Sequence, residues 1–509
     1  MAPALAGSDG PEAIHRAKLA TGGRRTGDSN VTFLATLSPE ERRRFTGAIV
    51  RKPTRSLSGV AVVAVMTAPA RCPHGRCTYC PGGLEQRSPQ SYTGEEPSAL
   101  RGAQFRYDAE AIVRHRLTAL EEIGHPTSKV EVIVMGGTFP ARPLTYQRAV
   151  FKGIYDGLNG TRSASLEEAV ARNEAAEHRL VGLTVETRPD RCDRRVLPAL
   201  LDAGVTRVEL GVECLEEEVL DRVHRAHPLA DVAEASRTAR DHGLKVGYHM
   251  MLGLPGMGPE RDLAGFRRLW SDARYRPDFL KIYPTLVLPG TGLYDEWRAG
   301  RYMPYDTATA VELLARIKAE VPPWVRIHRI QRDIPARLIA AGLRASNVRQ
   351  LALERLRENG GRCRCLRCRE PGRGATPAAE AFRLERIDYD AGDGHETFLS
   401  FEHPASDRCA GYLRLRFPSA LTEGGLDGPV VRELKVLGRE LAVGESAEAA
   451  ETYQHRGFGR RLLVEAEATA REAGHRRLYV TAAVGTRPYY GRRGFERAGP
   501  YVVKSLGSR

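Results

Sequence analysis

The hydrophobic pattern along this chain predicts two units built from strands and helices, with different strand arrangements. Residues 60–66 form a continuous apolar, β-branched run, which is typical of a strand covered on both faces. Helical patterns, for example at 194–203 and 229–242, alternate with further strand patterns, and this βα alternation predicts a parallel sheet curved into a barrel or partial barrel over residues 60–335. We place the further strands at 130–135, 180–186, 205–213, 245–251 and 279–285.

From residue 381 the pattern changes to a separate α+β unit. Antiparallel strands are predicted first, then a helix over 454–474 and a strand at 478–484. The Gly/Pro-rich stretch 371–377 before this unit is typical of a linker. The predicted antiparallel strands are 382–389, 396–402, 410–417 and 430–438. The expected divisions of the chain are 1–58, 59–335, 336–378 and 379–509.

Length and composition indicate a multidomain protein of the cytoplasm. The chain has 509 residues, which is too long for one ordinary domain, and is 42% hydrophobic and 28% charged. It has no apolar run of 18 residues and no secretory signal pattern at its start. These features exclude a membrane-spanning protein and lead us to expect a cytoplasmic location.

The charge balance favours a polyanionic partner. The formal net charge is +14, and residues 1–55 carry ten Lys/Arg against five Asp/Glu. The stretch 362–373 is also rich in basic residues. An arginine-rich composition of the genome would explain the total, but two basic stretches flanking a catalytic core favour RNA, with residues 1–58 as its binding region.

Three cysteines directly after the first core strand are the main chemical signal. Cys72, Cys77 and Cys80 have the spacing Cys-x4-Cys-x2-Cys, which supplies three of the four thiolates that fully cap a [4Fe–4S] cluster. The open iron of such a cluster can bind S-adenosylmethionine (SAM) and reduce it to a radical. A structural zinc site that includes His74 is the alternative, although only one cysteine knuckle is present here.

Polar motifs after other barrel strands could complete a SAM site. A pair of glycines would let the backbone approach the ligand closely, and charged side chains could meet its sulfonium, carboxylate and ribose. Each charged residue taken alone is more often part of a salt bridge at the barrel rim. The candidates are Gly136, Gly137, Glu186, Arg188 and Glu213, with Lys281 as a further, catalytic candidate.

A second cysteine set lies between the two units. Cys363, Cys365 and Cys368 lie within six residues, and we interpret them as a structural zinc site without an assigned fourth ligand. A basic turn without metal is the alternative. The isolated residues Cys192 and Cys214 are expected to be ordinary core residues, as is Cys409.

The C-terminal unit carries the pattern of an acetyl-CoA site. Gln454, Gly457 and Gly459 belong to a Gly-rich turn that opens a helix, where exposed N–H groups and the helix dipole favour a pyrophosphate. The turn follows the strand motif RELKVLG and precedes Tyr489 and Tyr490. A strand for the pantetheine, a loop for the phosphates and a tyrosine near the thioester together favour coenzyme A over core aromatics.

Together these motifs resemble the catalytic subunit of Elongator in its bacterial and archaeal form, over residues 45–509. The resemblance rests on CPHGRCTYCPGG, KVEVIVMGGTFPA, ETRPDRC, LKIYPTLV, QRDIPA, QHRGFG and RPYYGRRGFERAGPYVVK. It implies a radical-SAM partial barrel followed by a GNAT-type acetyltransferase domain, acting on uridine 34 of tRNA. In that family an adenosyl radical takes hydrogen from the acetyl-CoA methyl group, the carbon adds to C5 of uridine, and thioester hydrolysis leaves 5-carboxymethyluridine and CoA.

The resemblance also assigns site residues by motif. Cys72, Cys77 and Cys80 would bind the cluster, and Lys129 matches a lysine that contacts acetyl-CoA from the radical domain. Two departures from the family pattern are Glu213, where a glutamine is usual, and Lys435, where a histidine is common. The acetyl-CoA contacts of the other domain would be Glu433, Leu434, Lys435, Val436, Phe458, Gly459, Arg460 and Tyr490.

Other functions are compatible with parts of this pattern. A protein lysine acetyltransferase with a structural iron–sulfur cluster is one, and a tRNA-binding scaffold with inactive sites is another. Neither needs both an open cluster and a SAM pocket. The resemblance further implies an external electron donor, and the short cysteine spacing suggests an enzyme that works alone, as a monomer or homodimer.

Overall fold

The computed structural model describes residues 59–371, 377–438, Tyr453 and 456–507. The predicted tRNA-binding region 1–58 and the candidate Gln454 lie outside the described residues. So do residues 372–376 of the predicted linker.

The first domain is an open barrel of parallel strands. Seven strands follow one another across the sheet in chain order, and every neighbouring pair is parallel. The first and last strands have one neighbour each, so the sheet stays open and the predicted partial barrel is confirmed. The strands are β1 (Ala61–Met66), β2 (Lys129–Met135), β3 (Arg179–Thr187), β4 (Arg207–Glu213), β5 (Lys245–Leu252), β6 (Phe279–Pro284) and β7 (Arg326–Ile330).

Helices cover the outer face of this sheet. On β2, Val130, Val132 and Val134 are fully buried beneath the helices, whereas Lys129 and Glu131 point to the interior side. The helices are α1 (Pro97–Gln104), α2 (Ala109–Glu121), α3 (Leu144–Asn159), α4 (Leu166–Asn173), α5 (Leu197–Asp202), α6 (Glu217–Arg222), α7 (Leu229–Asp241), α8 (Pro259–Ser271), α9 (Gly292–Arg298), α10 (Thr307–Ala319) and α11 (Val348–Glu358).

The structure confirms the predicted barrel strands and corrects two details. Val62, in the middle of β1, is 41% exposed, so this strand is covered on one face only and not on both. The helix expected over 194–203 is limited to Leu197–Asp202, because the preceding residues form a turn in which the Asp193 carbonyl accepts the N–H of Val196. The sequence prediction also omitted β7.

The second domain is a seven-stranded sheet that is mostly antiparallel. Its strand order is β13-β14-β12-β11-β10-β9-β8, and β11 and β12 form its parallel pair. That pairing ends at Val431 and Val480, so the two strands separate beyond this point and leave a gap. The strands are β8 (Arg383–Ala391), β9 (Gly394–His403), β10 (Arg408–Phe417), β11 (Val430–Val436), β12 (Arg477–Val480), β13 (Glu496–Ala498) and β14 (Tyr501–Ser505). The remaining helices are α12 (Leu366–Arg369), α13 (Phe458–Glu472) and α14 (Arg487–Gly491).

Buried ion pairs join the two domains. The Arg416 guanidinium of β10 donates to the Asp241 carboxylate at the end of α7 at 2.7 Å, and both side chains are fully buried. Arg432 of β11 binds Asp278, which precedes β6. Buried charges need well-placed partners, so these contacts fix one domain against the other in a defined position.

Candidate active site

The three cysteines of the first motif lie in the loop that follows β1, at the carboxyl end of the barrel strands. Cys77 and Cys80 are buried and Cys72 is half-buried. The Ser91 N–H donates to Cys80 Sγ at 3.2 Å, and the Cys72 N–H donates to Gln90 Oε1 at 3.0 Å. Burial raises the pKa of the Cys72 and Cys80 thiols, and the neighbouring cysteines raise it further. The charges of neighbouring cysteines thus oppose ionisation of Cys72 and Cys80, and a bound cationic cluster would relieve this opposition.

Two nitrogen-bearing side chains accompany Cys77. His74 Nε2 lies 3.2 Å from Cys77 Sγ, and Arg225 Nη1 lies 3.9 Å from the same atom. Burial, together with Arg188 and Arg225, lowers the pKa of His74 to about 4, so the imidazole is neutral at physiological pH. The sulfur of Cys77 thus lies beside one positive and one hydrogen-bonding group. Such groups stabilise the thiolate ligands of an iron–sulfur cluster.

The predicted glycine pair lies directly beside these thiols. Gly136 and Gly137 have φ of 126° and 93°, values that favour glycine. A Cβ on Gly136 would lie 2.3 Å from Thr67 Oγ1, and one on Gly137 would lie 3.7 Å from Cys72 Sγ. Side chains here would fill the space next to the cysteines. The cysteine loop and this glycine pair therefore fit a cluster and a ligand bound beside it.

The predicted charges around this space are paired within the protein. The Arg188 guanidinium donates to the carbonyl oxygens of Arg225 and Ala226 at 2.7 and 3.0 Å, and to Asp190 at 2.7 Å. Glu213, which has a strained φ of 71°, lies 3.4 Å from Arg225. Arg188 thus anchors the loop that carries Arg225, and direct contact of Arg188 or Glu213 with SAM stays a prediction.

Four charged or titratable side chains meet inside the barrel, and we call them the interior tetrad: Glu186, Glu209, His249 and Lys281. Lys281 Nζ lies 2.8 Å from Glu186 Oε1 and also contacts Glu209, while His249 Nε2 lies 3.0 Å from Glu209 Oε2. Burial opposes the charge of Lys281, but Glu186 and Glu209 raise the pKa of its ammonium above the ordinary value. The Lys281 ammonium supplies the cation between these two carboxylates.

The sequence analysis named Glu186 and Lys281 but missed the other two members of the tetrad. Glu209 and His249 lie within the strand patterns RVELGVE and KVGYHMML. A polar residue inside an otherwise buried strand was the available signal, because such a residue needs a partner in the interior.

A cavity of about 660 Å³ lies at the opposite, amino end of the strands, between the two domains. Four neighbouring strands each begin with a cation that lines it: Lys129, Arg179, Arg207 and Lys245. The C-terminal domain supplies the facing wall. The structure thereby brings together the predicted acetyl-CoA residues Lys129, Glu433, Leu434, Lys435, Val436, Gly457, Phe458, Gly459, Arg460, Tyr489 and Tyr490.

The Gly-rich turn enters this cavity at the start of α13. Gly457 has φ of 80° and precedes the first helical residue, Phe458. A Cβ on Gly459 would lie 3.0 Å from the Tyr489 hydroxyl, so glycine lets the tyrosine approach the turn. The first N–H groups of the helix are exposed to the cavity, where they can bind the phosphates of a nucleotide.

Ion pairs fix the two walls of the cavity. Lys435 of β11 binds Glu131 of β2 across the domain boundary at 2.9 Å. Burial alone would raise the pKa of Glu131, but Lys435 and Arg207 lower it to about 2. Glu433 accepts a hydrogen bond from Arg414 Nε at 2.9 Å. Lys435, a predicted ligand contact, thus also joins the two domains, whereas the Glu433–Arg414 pair lies within the C-terminal domain.

Tyr489 and Tyr490 lie edge to face in this cavity, with ring centres 5.2 Å apart. Burial raises the pKa of both phenols above the ordinary value. Both hydroxyls therefore stay protonated at neutral pH and can donate a hydrogen bond to a ligand.

The second cysteine set forms a compact sulfur cluster. Sγ atoms of Cys363, Cys365 and Cys368 lie within 4.8 Å of one another. Lys318 Nζ lies 3.4 Å from Cys363 Sγ and 3.7 Å from Cys368 Sγ. Hydrogen bonds from Cys363 and Cys368 lower the pKa of Cys365 well below its ordinary value, with Lys318 adding to this effect. Three soft donors at this spacing fit zinc.

Several arginines of the stretch 362–373 are used inside the protein. Arg364 lies 3.2 Å from Asp407, and the buried Arg369 lies 2.5 Å from Glu402. Glu402 lies on β9 of the C-terminal domain, and Asp407 lies in the connection between β9 and β10. This stretch therefore joins the domains more than it offers a free basic surface. The isolated residues Cys192, Cys214 and Cys409 are buried, as expected.

Comparisons with known proteins agree with this architecture. The Radical SAM superfamily model matches residues 67–266, the Radical_SAM C-terminal domain model matches 277–358, and the acetyltransferase (GNAT) domain model matches 449–505. The tRNA uridine(34) acetyltransferase of Methanocaldococcus jannaschii is 43% identical over 489 residues, covering 94% of this chain and 90% of that protein. Human Elongator complex protein 3 is 44% identical over 491 residues, covering 94% and 89%.

A solved structure has the same fold as this chain. The archaeal Elp3 of Methanocaldococcus infernus, with an N-terminal deletion, superposes with a TM-score of 0.78 at 40% identity, covering 88% of this chain and 100% of that one. The chain belongs to the Elongator complex protein 3 family. Family membership confirms the resemblance inferred from the motifs, and with it the radical-SAM partial barrel followed by a GNAT domain. Within the described part of this Elongator family member, no helix has the length and apolar character needed to cross a bilayer.

Proposed function

We propose that this protein modifies the wobble uridine of tRNA, using SAM and acetyl-CoA to form 5-carboxymethyluridine. The observation that carries the proposal is the placement of both sites on one sheet. The cysteine loop and Gly136–Gly137 lie at the carboxyl ends of the strands, and the acetyl-CoA cavity begins at their amino ends with Lys129. Relatives with the printed name tRNA uridine(34) acetyltransferase support the choice of substrate.

The carboxyl end of the barrel would hold the cluster and SAM. Cys72, Cys77 and Cys80 would bind three irons, and Gly136 and Gly137 would leave room for SAM beside the fourth. When bound, this pair supplies a 5′-deoxyadenosyl radical that removes a hydrogen atom from a carbon of the substrate. An external reductant has to deliver the electron.

The amino end would hold acetyl-CoA. The N–H groups of Phe458 and Gly459 would bind the pyrophosphate, Arg460 would pair with it, and β11 would carry the pantetheine arm over Glu433–Val436. Tyr490 would donate its phenol proton in a hydrogen bond to the thioester or its sulfur. Lys129 would contact the ligand from the barrel side.

The tRNA would meet the carboxyl end of the barrel, where the radical forms. Residues 1–58 have a local basic excess, with ten Lys/Arg against five Asp/Glu, and are proposed as part of the tRNA footprint, including Arg24, Arg25 and Arg42–Arg44. We keep the expectation of an enzyme that works alone, as a monomer or homodimer, in the cytoplasm.

Zinc is proposed for the second sulfur cluster. Cys363, Cys365 and Cys368 would be its ligands, and Lys318 lies at the remaining side of the cluster. The cluster stands where α12 and the preceding segment pack between the domains, so the ion would act structurally.

The test is an anaerobic reaction of reduced, cluster-loaded enzyme with SAM, acetyl-CoA and tRNA, followed by nucleoside mass spectrometry. We expect 5-carboxymethyluridine, 5′-deoxyadenosine and CoA in equal amounts. Cys77→Ala should abolish 5′-deoxyadenosine and leave acetyl-CoA binding intact, whereas Cys192→Ala, in the core, should retain both. Acetylated lysine on added protein, without any carboxymethyluridine, would instead favour a protein acetyltransferase.

A further inference from the structure

The interior tetrad lies between the two proposed ligand sites. Its members lie on β3 to β6, between the cations that line the acetyl-CoA cavity at the amino ends and the cysteine loop at the carboxyl ends. Strand register places His249 beside Lys281, and Glu209 beside Glu186. This step rests on the proposed function, in which the methyl carbon of acetyl-CoA reaches the radical at the carboxyl end of the strands. The thioester carbonyl lies behind the methyl carbon, on the side of the acetyl-CoA cavity, and would therefore lie near this tetrad.

The sheet makes room for the tetrad with a glycine on the neighbouring strand. A Cβ on Gly247 would lie 3.1 Å from Glu209 Cγ, and 3.4 Å from Phe279 Cβ. The absent side chain leaves room for the Glu209 side chain, whose carboxylate lies 3.0 Å from His249 Nε2. Edge-to-face contact with Tyr283, at 5.6 Å between ring centres, holds the imidazole from the other side.

The partner of His249 determines which of its nitrogens can act as a base. Glu209 is ionised between Lys281 and His249, so its carboxylate only accepts hydrogen bonds. The His249 Nε2 must then carry the proton that it shares with Glu209 at 3.0 Å. In the neutral imidazole, Nδ1 then carries the lone pair, which gives the pairing of acid and imidazole found in hydrolytic enzymes with the two ring nitrogens exchanged.

Lys281 completes the arrangement with a fixed positive charge. Its ammonium lies 2.8 Å from Glu186 and contacts Glu209, so it stays protonated and cannot move far from the imidazole. A preorganised cation of this kind stabilises the oxyanion that forms when a carbonyl is attacked.

We propose that His249 is the general base that hydrolyses the thioester after the acyl group has joined uridine. This inference rests on the proposed function and adds the residues of its last step. Water attacks the thioester carbon while Nδ1 of His249 takes its proton, and the oxyanion forms beside Lys281. The C–S bond then breaks, and the imidazolium returns the proton to the leaving CoA thiolate. The carboxylic acid remains on uridine, and no oxidant or reductant is consumed. Glu209 is the positioning residue.

The decisive variant is His249→Ala, compared with His115→Gln on the exposed face of α2. Products are measured as intact tRNA by mass spectrometry, alongside 5′-deoxyadenosine and free CoA. We expect 5′-deoxyadenosine at the level of the native enzyme, tRNA that keeps CoA attached as a thioester, and a fall of at least tenfold in free CoA. Hydroxylamine should release the CoA chemically, and added imidazole should restore enzymatic release. His115→Gln should match the native enzyme.

Two results would overturn the inference. Carboxymethyluridine formed by His249→Ala at the native rate would mean that another base acts. Loss of both 5′-deoxyadenosine and product in His249→Ala and in His249→Gln would place His249 in the radical step. If the native enzyme itself forms no carboxymethyluridine, the proposed function fails instead. Glu209→Gln, as a positioning variant, should retain the thioester adduct in part and respond to imidazole less than His249→Ala.

Discussion

Arg432 and Asp278 form a two-point ion pair between the domains, with Nη1–Oδ2 and Nη2–Oδ1 distances of 2.7 and 2.9 Å. Both side chains are fully buried, and Glu396 accepts a further hydrogen bond from Arg432 at 2.7 Å. Arg432 lies in β11, the strand that forms one wall of the acetyl-CoA cavity. The pair therefore sets the distance between that wall and the barrel.

Arg432→Met should strongly destabilise the protein. It leaves the carboxylates of Asp278 and Glu396 buried without their main partner, and breaking such a pair costs about 3–5 kcal/mol. Urea unfolding measures the change. The matched variant Arg316→Met removes an exposed pair with Glu260 and should change the midpoint little. Similar midpoints for the two variants would contradict a role of the buried pair in holding the domains.

Binding of acetyl-CoA should take up a proton at mildly alkaline pH through Lys245. Burial lowers the pKa of Lys245 to about 8, with Glu433 and Glu131 raising it and Arg207 and Lys435 lowering it. An anionic ligand in the cavity favours the charged ammonium, so affinity should decrease as pH rises through 8 and above. Calorimetry at pH 8 in two buffers of different ionisation heat measures the proton uptake.

The control for this prediction is Lys504→Met, which removes an ammonium paired with Glu467 that does not line the cavity. It should keep the proton uptake, whereas Lys245→Met should abolish it. Equal binding heats in both buffers for the native protein would show that Lys245 does not change its charge on binding.

Asp262→Asn should stabilise the protein at neutral pH. Burial raises the pKa of Asp262 to about 6, although hydrogen bonds from the Tyr305 hydroxyl and the Gly253 N–H oppose this. Because the folded state favours the protonated acid, its contribution to stability is full below the pKa of the unfolded chain and is lost as pH rises through 6. Thermal unfolding should separate the variant from the native protein at pH 7 and not at pH 4. A constant difference at both pH values would refute this account.

Cys365→Ser should remove zinc and lower stability. The pKa of its thiol is lowered while those of Cys363 and Cys368 are raised, and the three sulfurs lie within 4.8 Å of one another. Metal analysis should find about one zinc per native chain and a large loss in the variant. Cys409→Ser, a buried cysteine outside the cluster, serves as the control and should retain the metal. Native protein purified without zinc, yet fully folded, would exclude this assignment.

The sequence pattern predicted the strands well. A long apolar run between two helical segments is typical of a strand of a parallel sheet that is covered by helices, and few other structures fit it. Six of the seven barrel strands were placed to within two residues by this pattern, whereas the short, charged strand Arg326–Ile330 was not predicted. The cysteine loop and the glycine turn of α13 were also predicted, since their chemistry depends on local spacing.

The interior tetrad and the row of cations in the cavity were predicted only in part: Glu186, Lys281 and Lys129 were named, and their other members were not. Glu209 stands in a strand whose every residue is buried, so the usual alternation of polar and apolar positions is absent. In the sequence, Lys245 and Arg207 resemble any charged residue at the start of a strand. Their role depends on the second domain, which covers them in the fold. Their significance arises from tertiary contact between segments far apart in the chain, such as those of Glu131 and Lys435, whose charged atoms lie 2.9 Å apart.

Because the two proposed ligand sites lie at opposite ends of one parallel sheet, the length of the strands sets the distance between them. β2 runs from Lys129, in the acetyl-CoA cavity, to Met135, just before Gly136, and its seven residues span about 20 Å. An acyl donor entering at the amino end has to match that span with its arm for its methyl carbon to arrive where the radical is formed. Longer acyl chains would carry their reactive carbon past this point, and the enzyme would select its substrate by reach as well as by chemistry.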